Sequence, residues 1–140
     1  MSMEFKVITP DEVVIDVTVE YVYLPGSLGE MGVLEHHTAL ITSLEPGELR
    51  YKPVNGVEES MVVGNGFVQI NDDHVLMVTD LALNSSQIDE GSVERAVLEA
   101  QEVLKMRSEM SREEQARFEA NLAKQIMMLN FKRKHKSLGR

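Results

Sequence analysis

Residues 25–51 read PGSLGEMGVLEHHTALITSLEPGELRY, and this stretch decides the fold. A Pro-Gly turn dipeptide opens it, and a second one stands near its end. Between them, Gly29 and Gly32 flank two residues, so the backbone there needs a positive φ or a close approach to a neighbour. The apolar pieces in between suit strands and are too short for helices. The stretch predicts a tight corner in an antiparallel β-sandwich.

The sequence on both sides of this stretch also has the pattern of β-strands. Apolar and polar residues alternate from Val17 to Leu24, a period of two that indicates a half-buried strand. Asn55-Gly56 stands between two strand-like runs, which is a hairpin signal, and a second hairpin is expected around Asp72. We therefore expect about eight to ten short strands in a β-sandwich, or flattened barrel, over residues 1–85.

The pattern becomes helical after Asn84. Apolar residues recur at steps of three and four between Val93 and Leu104, and Gly91-Ser92 can cap the start of this helix. Ser111 and Glu114 have the spacing of a capping box for a second helix, so the first helix must end near Ser108 to Met110. The predicted fold class is α+β, with the sandwich followed by an antiparallel two-helix hairpin over residues 86–140.

The second predicted helix carries a line of small residues. Ala116, Ala120, Ala123 and Met127 recur on one face, which we expect to pack against the first helix. Burying a large aliphatic side chain contributes roughly 1.5–3 kcal/mol, and alanine contributes much less. The hairpin should therefore hold weakly. Physical reasoning alone favours a static hairpin over a mobile one, although it leaves both open.

Charge is divided unevenly along the 140 residues. Residues 1–90 carry three basic and sixteen acidic side chains, a net charge of −13, whereas residues 91–140 carry eleven and seven, a net charge of +4. An acidic first half is a poor surface for nucleic acid, because phosphate binding needs clustered cations. The basic second half could meet an acidic protein surface or serve solubility alone.

Residues that could carry chemistry are few. The chain has no cysteine, so disulfides and thiolate metal sites are excluded. His36 and His37 are adjacent, and neighbours on a strand point to opposite faces, so we do not expect them to share a metal. Gly64-Asn65-Gly66 predicts a turn, since no Gly-Lys-Ser follows it. We predict neither catalytic nor metal-binding residues.

No apolar run approaches the ~20 residues that a membrane-spanning helix needs. No charged-then-apolar leader opens the sequence. We expect a protein on the cytosolic side that contacts a membrane only through partners.

The order of the short motifs resembles one known family. Residues 25–51 contain, in order, the motifs PGxxGExGVL, HTxL and PGELR. They are followed by Gly64-Asn65-Gly66-Phe67-Val68 and then by the two predicted helices. This order resembles the epsilon subunit of bacterial F-type ATP synthase over residues 5 to about 133. Two positions depart from the pattern, because Glu35 replaces a usual proline before the histidines and Ala39 replaces another after them.

The resemblance implies a non-catalytic subunit of the central rotor stalk, peripheral to the cytoplasmic face of the bacterial cell membrane. Such a subunit rotates with the gamma subunit and the c-subunit ring and couples proton flow to ATP synthesis elsewhere in the complex. By this resemblance His37 and Thr38 contact gamma. Leu28, Glu30 and Met31 contact the rotor ring.

The resemblance also implies regulation by the helical hairpin. In the family these helices move between a folded-down arrangement and an extended one that inhibits ATP hydrolysis. Arg112, Arg117 and Lys124 of the second helix are then candidates for meeting acidic loops of the alpha and beta catalytic-sector subunits.

Many members of the family bind ATP through an I-D-x-x-R-A motif at the start of the hairpin. Ile88 and Asp89 match its first two positions, but Ser92 stands where the arginine is expected. Leu83 falls where the family has a glutamate after the last strand. Phosphates need the cation and the ribose needs the acid. We therefore expect no cofactor and no regulatory ATP.

Two other functions stay open from the residues alone. One is an enzyme or small-molecule-binding β-barrel with a helical lid, which would need a pocket with a perturbed acid or base. The other is a free-standing adaptor protein. Stoichiometric partners that co-purify with the chain would separate these alternatives.

Overall fold

The computed structural model describes residues 2–136, and the chain divides into two compact units. The first unit ends at Asn84 and holds the strands, and the second begins at Ser85 and holds the helices. The predicted α+β class is confirmed. Among the described helices, none is long and apolar enough to cross a membrane.

Within the described residues the first unit contains nine strands. They are β1 (Met3–Ile8), β2 (Val13–Gly26), β3 (Gly29–Leu34), β4 (Leu40–Leu44), β5 (Gly47–Pro53), β6 (Glu59–Val63), β7 (Gly66–Asn71), β8 (His74–Thr79) and β9 (Ala82–Leu83).

The long strand β2 joins the two halves of the sheet. Its first half pairs with β1 and its second half with β3 and β5. From β1 the sheet continues through β8 and β7 to β4, which returns to the end of β2 where Leu44 pairs with Gly26. The sheet therefore folds onto itself as a flattened barrel. One pair, β1 with β8, is parallel. These two strands are far apart in sequence, so no tight turn forces them to run antiparallel.

The core follows from the alternation of side chains along the strands. β1 buries Met3, Phe5 and Val7 and exposes Glu4 and Lys6. The buried residues of the other strands meet those of β1 in one apolar cluster. The ring of Phe5 lies 5.5 Å from that of Tyr51, centroid to centroid. This cluster is the hydrophobic core of the first unit.

The predicted corner is a two-residue turn between β2 and β3, with Gly26 paired to Gly29. Gly29 has φ 117°, a conformation that residues with a Cβ rarely adopt. A Cβ on Gly32 would lie 2.8 Å from Cε1 of Tyr23. Both requirements inferred for these glycines are confirmed.

Two turns differ from expectation. The Asn55-Gly56 hairpin is present, but its loop spans residues 54–58 and is not a tight two-residue turn. His36 and His37 lie in a turn after β3 and not on a strand, so the strand argument about them was wrong. His36 has φ 66°, and this left-handed conformation ends the alternation of a strand.

The second unit contains α1 (Glu90–Leu104) and α2 (Arg112–Lys136), with 3-10 turns before each helix. Asp89 caps α1, because its carboxylate accepts from the Ser92 amide at 2.9 Å, so the prediction of a Gly91-Ser92 cap was wrong. A carboxylate oxygen reaches the free amides that glycine cannot satisfy.

The first helix also ends earlier than predicted, at Leu104. Nε of Arg107 donates to the carbonyl oxygen of Leu104 at 2.9 Å, which satisfies one of the carbonyl groups left free at the helix end. The capping box of α2 is confirmed. The Glu114 amide donates to Oγ of Ser111 at 3.1 Å, and the Ser111 amide donates to Oε1 of Glu114 at 3.2 Å.

The alanine face of α2 is exposed, so its predicted packing against α1 was wrong. Ala116, Ala120 and Ala123 are exposed, whereas Phe118 and Leu122 are half-buried. The larger side chains turn inward because their burial contributes more free energy than that of alanine. Among the side chains of α2 that the structure describes, the buried ones all lie between 128 and 135. They are Met128, Leu129, Phe131 and His135.

Candidate interaction surfaces

A row of apolar side chains crosses the outer face of strands β7, β8, β1 and the start of β2. Phe67 pairs with Val78, Val78 with Ile8, and Ile8 with Val13. Phe67 is 43% exposed and Val13 is 54% exposed. We call these four residues the apolar row. Ile41 on β4 pairs with Gln69 of the same face and is also exposed. Ile8 and Val78, in the middle of the row, are half-buried. A contiguous apolar surface with exposed members marks an interaction site.

The other end of this face is a groove of about 490 Å³ with a mixed polar and apolar lining. It is lined by Glu4, Lys6, Asp16, Gln69, Asn71, His74, Val75 and Leu76. Nδ1 of His74 lies 2.7 Å from Oδ1 of Asp73, and Nε2 lies 2.8 Å from Oε2 of Glu4. The hydrogen bond to Asp73 is the main reason that the pKa of His74 is raised.

His36 makes a similar arrangement next to this groove. Its Nδ1 lies 3.2 Å from Oδ1 of Asp72, and its Nε2 lies 3.1 Å from Oε1 of Glu35. The hydrogen bond to Asp72, followed by the charge of Glu35, raises the pKa of His36. The two histidines therefore connect the turn after β3, the β7–β8 turn and the start of β1.

The residues predicted to contact gamma lie in the segment between β3 and β4. His37 is half-buried, and its Nδ1 donates to the carbonyl oxygen of Thr38 at 2.7 Å. Thr38 is exposed. Two residues later β4 begins at Leu40, and its Ile41 belongs to the same outer face as the apolar row. The segment therefore leads directly into that face.

The residues predicted to contact the rotor ring differ in their surroundings. Leu28 is fully exposed at the tip of the β2–β3 hairpin. Oε2 of Glu30 lies 3.2 Å from Nη2 of Arg50. Met31 is half-buried and packs against the core. Leu28 is therefore the side chain that the hairpin presents most openly.

The start of α1 holds the two residues that match the nucleotide motif. Ile88 is buried. Asp89 is committed to the helix cap, and its pKa is lowered by hydrogen bonds from the Ser92 hydroxyl and amide. A groove of about 480 Å³ adjoins it, lined by Ser86, Gln87, Ile88, Asp89, Glu90, Gly91 and Lys132. Nη2 of Arg95 lies 3.4 Å from Oγ of Ser92.

The three cations predicted to meet the catalytic sector all lie on α2. Arg112 and Arg117 are exposed, and Lys124 is half-buried. A spacing of seven residues places Arg117 and Lys124 about 20° apart around the helix, and Arg112 lies roughly 140° from Arg117. Two of the three therefore share one side of the helix.

One comparison decides the family. The model of the ATP synthase delta/epsilon chain β-sandwich domain matches residues 2–85, which is more than half of the chain. The chain belongs to the ATP synthase epsilon chain family. The ATP synthase epsilon chain of Nitrosococcus oceani is 31% identical over 140 residues, 99% of each chain. That of Polynucleobacter necessarius is 32% identical over 106 residues, 76% of this chain and 77% of the relative.

Solved structures agree in fold with this epsilon family assignment. A chain in a mitochondrial ATP synthase structure from Euglena gracilis aligns with a TM-score of 0.75 and 24% identity. The alignment covers 86% of this chain and 75% of that one. A chain in the central stalk and c-ring structure from Tetrahymena thermophila gives a TM-score of 0.52 at 16% identity.

Sequence reasoning missed several residues that organise this epsilon chain. Thr79 is buried, and its Oγ1 accepts from the Gly64 amide at 3.1 Å and lies 3.1 Å from the carbonyl oxygen of Leu81. Nζ of Lys132 donates to the carbonyl oxygen of Ser85 at 2.8 Å. A single sequence contains no local signal for either contact.

One arginine joins α2 to α1 at the end of the hairpin opposite the loop between the helices. Nε of Arg133 lies 3.0 Å from Oε2 of Glu90, and Nη2 lies 2.9 Å from Oε2 of Glu94. We call Arg133, Glu90, Glu94 and the Lys132–Ser85 contact the hairpin latch. It connects the end of α2 to the beginning of α1. Within residues 2–136, no cluster of three or more His, Asp or Glu side chains is placed to hold a metal ion.

Proposed function

We propose that this epsilon chain is a non-catalytic part of the central rotor stalk of an F-type ATP synthase, where it couples ion flow to ATP synthesis and restrains ATP hydrolysis. The observation that carries the proposal is the apolar row on the outer face of the sandwich. Family membership supplies the partners: gamma, the c-subunit ring, and the alpha and beta subunits. The protein works peripherally at the cytoplasmic face of the bacterial membrane and binds no nucleic acid.

Gamma docks on the outer face that carries the apolar row. An exposed apolar strip bordered by polar residues resembles the centre and rim of a protein interface. The segment with His37 and Thr38 leads into β4 of the same face, so both predicted gamma contacts adjoin the surface. Phe67 is the largest side chain of the row, and aromatic side chains often dominate binding energy at interfaces.

A substitution in the apolar row tests gamma binding. Phe67→Asp should weaken binding to purified gamma by about 10- to 100-fold, because it removes roughly 1.5–3 kcal/mol of apolar burial. Val57→Asp is the control, since Val57 is also apolar and is 71% exposed but lies in the β5–β6 loop. Isothermal titration would give both affinities. Equal affinities for the two variants would exclude this face as the gamma surface.

The tip of the β2–β3 hairpin contacts the rotor ring. Leu28 is fully exposed there, and an isolated exposed leucine at a turn is available to a partner. Leu28→Asp should reduce ion transport per ATP hydrolysed in vesicles that contain the assembled enzyme. Gamma binding should not change, because the tip is outside the apolar row.

The helical hairpin restrains hydrolysis through the cations of α2. Charge pairs at a partly exposed interface contribute about 0.2–1 kcal/mol each, so three can shift an equilibrium of conformations several-fold. The triple substitution of Arg112, Arg117 and Lys124 by alanine should therefore raise steady-state hydrolysis by the assembled enzyme. Unchanged hydrolysis at equal incorporation would contradict this role of the three cations.

A further inference from the structure

Strand β3 has little support of its own. Among the described strands it pairs with β2 alone. The turn that joins it to β2 carries the exposed Leu28. A strand with one neighbour bends more easily than one inside a sheet, so the direction of the tip depends on side chains that reach β3 from elsewhere.

Arg50 of β5 is the side chain that reaches across. It pairs with Tyr23 of β2, and its guanidinium carbon lies 4.7 Å from the centre of the Tyr23 ring. Its Nη2 lies 3.2 Å from Oε2 of Glu30 on β3, and its Nη1 lies 3.5 Å from Oε2 of Glu58. One guanidinium therefore links β5, β2, β3 and the β5–β6 loop.

The neighbours of Arg50 fix its position. The Tyr21 hydroxyl donates to Oε2 of Glu58 at 2.6 Å, and the Tyr21 ring contacts that of Tyr23 edge-on at 5.4 Å. The Tyr23 ring lies where a Cβ of residue 32 would be, so Gly32 leaves the space that the ring needs. A planar cation that stacks on an aromatic ring while binding two carboxylates has few other orientations.

We infer that Arg50 is the positioning residue of the tip that contacts the rotor ring. Arg50 does not touch the rotor ring and acts by holding β3 against β2 and β5. Glu30 is its anchor on β3. This inference rests on the proposed function of the tip, and it assigns the positioning of that tip to a residue of another strand.

We call the contacts of Arg50 with Tyr23, Glu30 and Glu58 the Arg50 brace. Amide hydrogen exchange of the full chain tests this brace without any partner. Arg50→Met keeps the apolar stem and removes the charge, and should make residues 29–34 exchange about three- to tenfold faster. Arg50→Lys should give an intermediate rate, because it keeps a charge but not the two-armed geometry. The matched control is Lys52→Met. Lys52 is on the same face of β5, but its ion pair is with Glu20 of β2. Unchanged exchange in β3 for Arg50→Met would overturn the inference.

The assembled enzyme tests whether the brace matters for coupling. Arg50→Met should lower ion transport per ATP hydrolysed, Arg50→Lys should restore part of it, and Lys52→Met should leave it unchanged. If Leu28→Asp lowers transport and Arg50→Met does not, the tip keeps its proposed function and the role of Arg50 is refuted. If Leu28→Asp has no effect either, the proposed function of the tip fails, and the inference about Arg50 fails with it.

Discussion

The contacts that stabilise the sandwich internally differ from those that stabilise the helical hairpin internally. The sandwich has a core that runs through its strands, with Phe5, Val22 and Leu49 fully buried. The hairpin buries four residues of α1, from Val93 to Leu104, and the end of α2, but no described residue of α2 before Met128 is buried. Its loop end shows a looser contact, with Nη1 of Arg107 3.7 Å from Oε1 of Glu119.

This difference suits a division of roles. Stability within a protein varies with local burial, and regions with few buried contacts open most easily. The latch lies where α2 is also buried, whereas α1 stays buried as far as Leu104 at the loop end. Loosening of the hairpin should therefore begin in the part of α2 next to the loop. A stable body that binds gamma and an appendage that can change conformation are what the proposed function needs.

The largest expected effect concerns the two sets of buried residues. Phe5→Ala should destabilise the sandwich by about 3–5 kcal/mol, because it leaves a cavity in the core. Leu104→Ala should disturb the helices and leave the cooperative melt of the strands in place. Circular dichroism at wavelengths that separate strand and helix would measure both. Loss of strand signal in Leu104→Ala would show that the units are not independent.

A smaller effect is expected at the latch. Arg133→Glu places an acidic group beside Glu90 and Glu94, so amide exchange at the start of α1 should rise roughly two- to tenfold. Adding Glu94→Arg should recover part of the protection, and Arg117→Glu, on an exposed part of the same helix, should have no such effect. If Arg117→Glu matches Arg133→Glu, the specific pairs do not hold the hairpin.

Local signals predicted the fold well, and long-range contacts could not be predicted. The Ser111–Glu114 box and the Gly29 corner depend on residues three or fewer positions apart. By contrast, Arg133 meets Glu90 across 43 positions. The exposed face of α2 was assigned incorrectly because periodicity shows that a helix has faces, while the partner decides which face is buried.

The candidate interaction surfaces also contain features that local sequence predicts and features that depend on long-range strand pairing. Leu28 stands in a turn that the glycines predict, so its exposure follows from the sequence. The Arg50 brace joins residues 20 and eight positions apart across strands, and only the register of β2, β3 and β5 brings them together. The apolar row likewise depends on the parallel pairing of β1 with β8, which the sequence did not indicate.

A modest pH effect is expected in the sandwich alone. The pKa values of His36 and His74 are raised by neighbouring carboxylates, so protonation stabilises the folded state. This contribution is complete below the ordinary histidine pKa of about 6.5 and is lost as the pH rises through the raised values. The His36→Gln, His74→Gln double variant should flatten the dependence of thermal stability on pH over that range. An unchanged pH profile in the double variant would contradict this.

No effect is expected from nucleotide. The carboxylate of Asp89 is engaged as the helix cap, and Ser92 stands in the place of the motif arginine. The motif position therefore offers no arginine to the phosphates of ATP and no uncommitted carboxylate to its ribose. Isothermal titration with magnesium-free ATP should show no binding at sub-millimolar concentrations. A micromolar isotherm that disappears in Arg95→Ala would show that Arg95 supplies the missing charge.

The most direct test of the division between body and appendage is removal of residues 86–140 in a reconstituted complex. Steady-state ATP hydrolysis and gamma affinity would be measured for the full chain and for residues 1–85. We predict that the shortened chain keeps its strand signal and gamma affinity while hydrolysis rises at least as much as with the triple alanine variant. Loss of gamma binding, or equal hydrolysis at equal incorporation, would contradict the account.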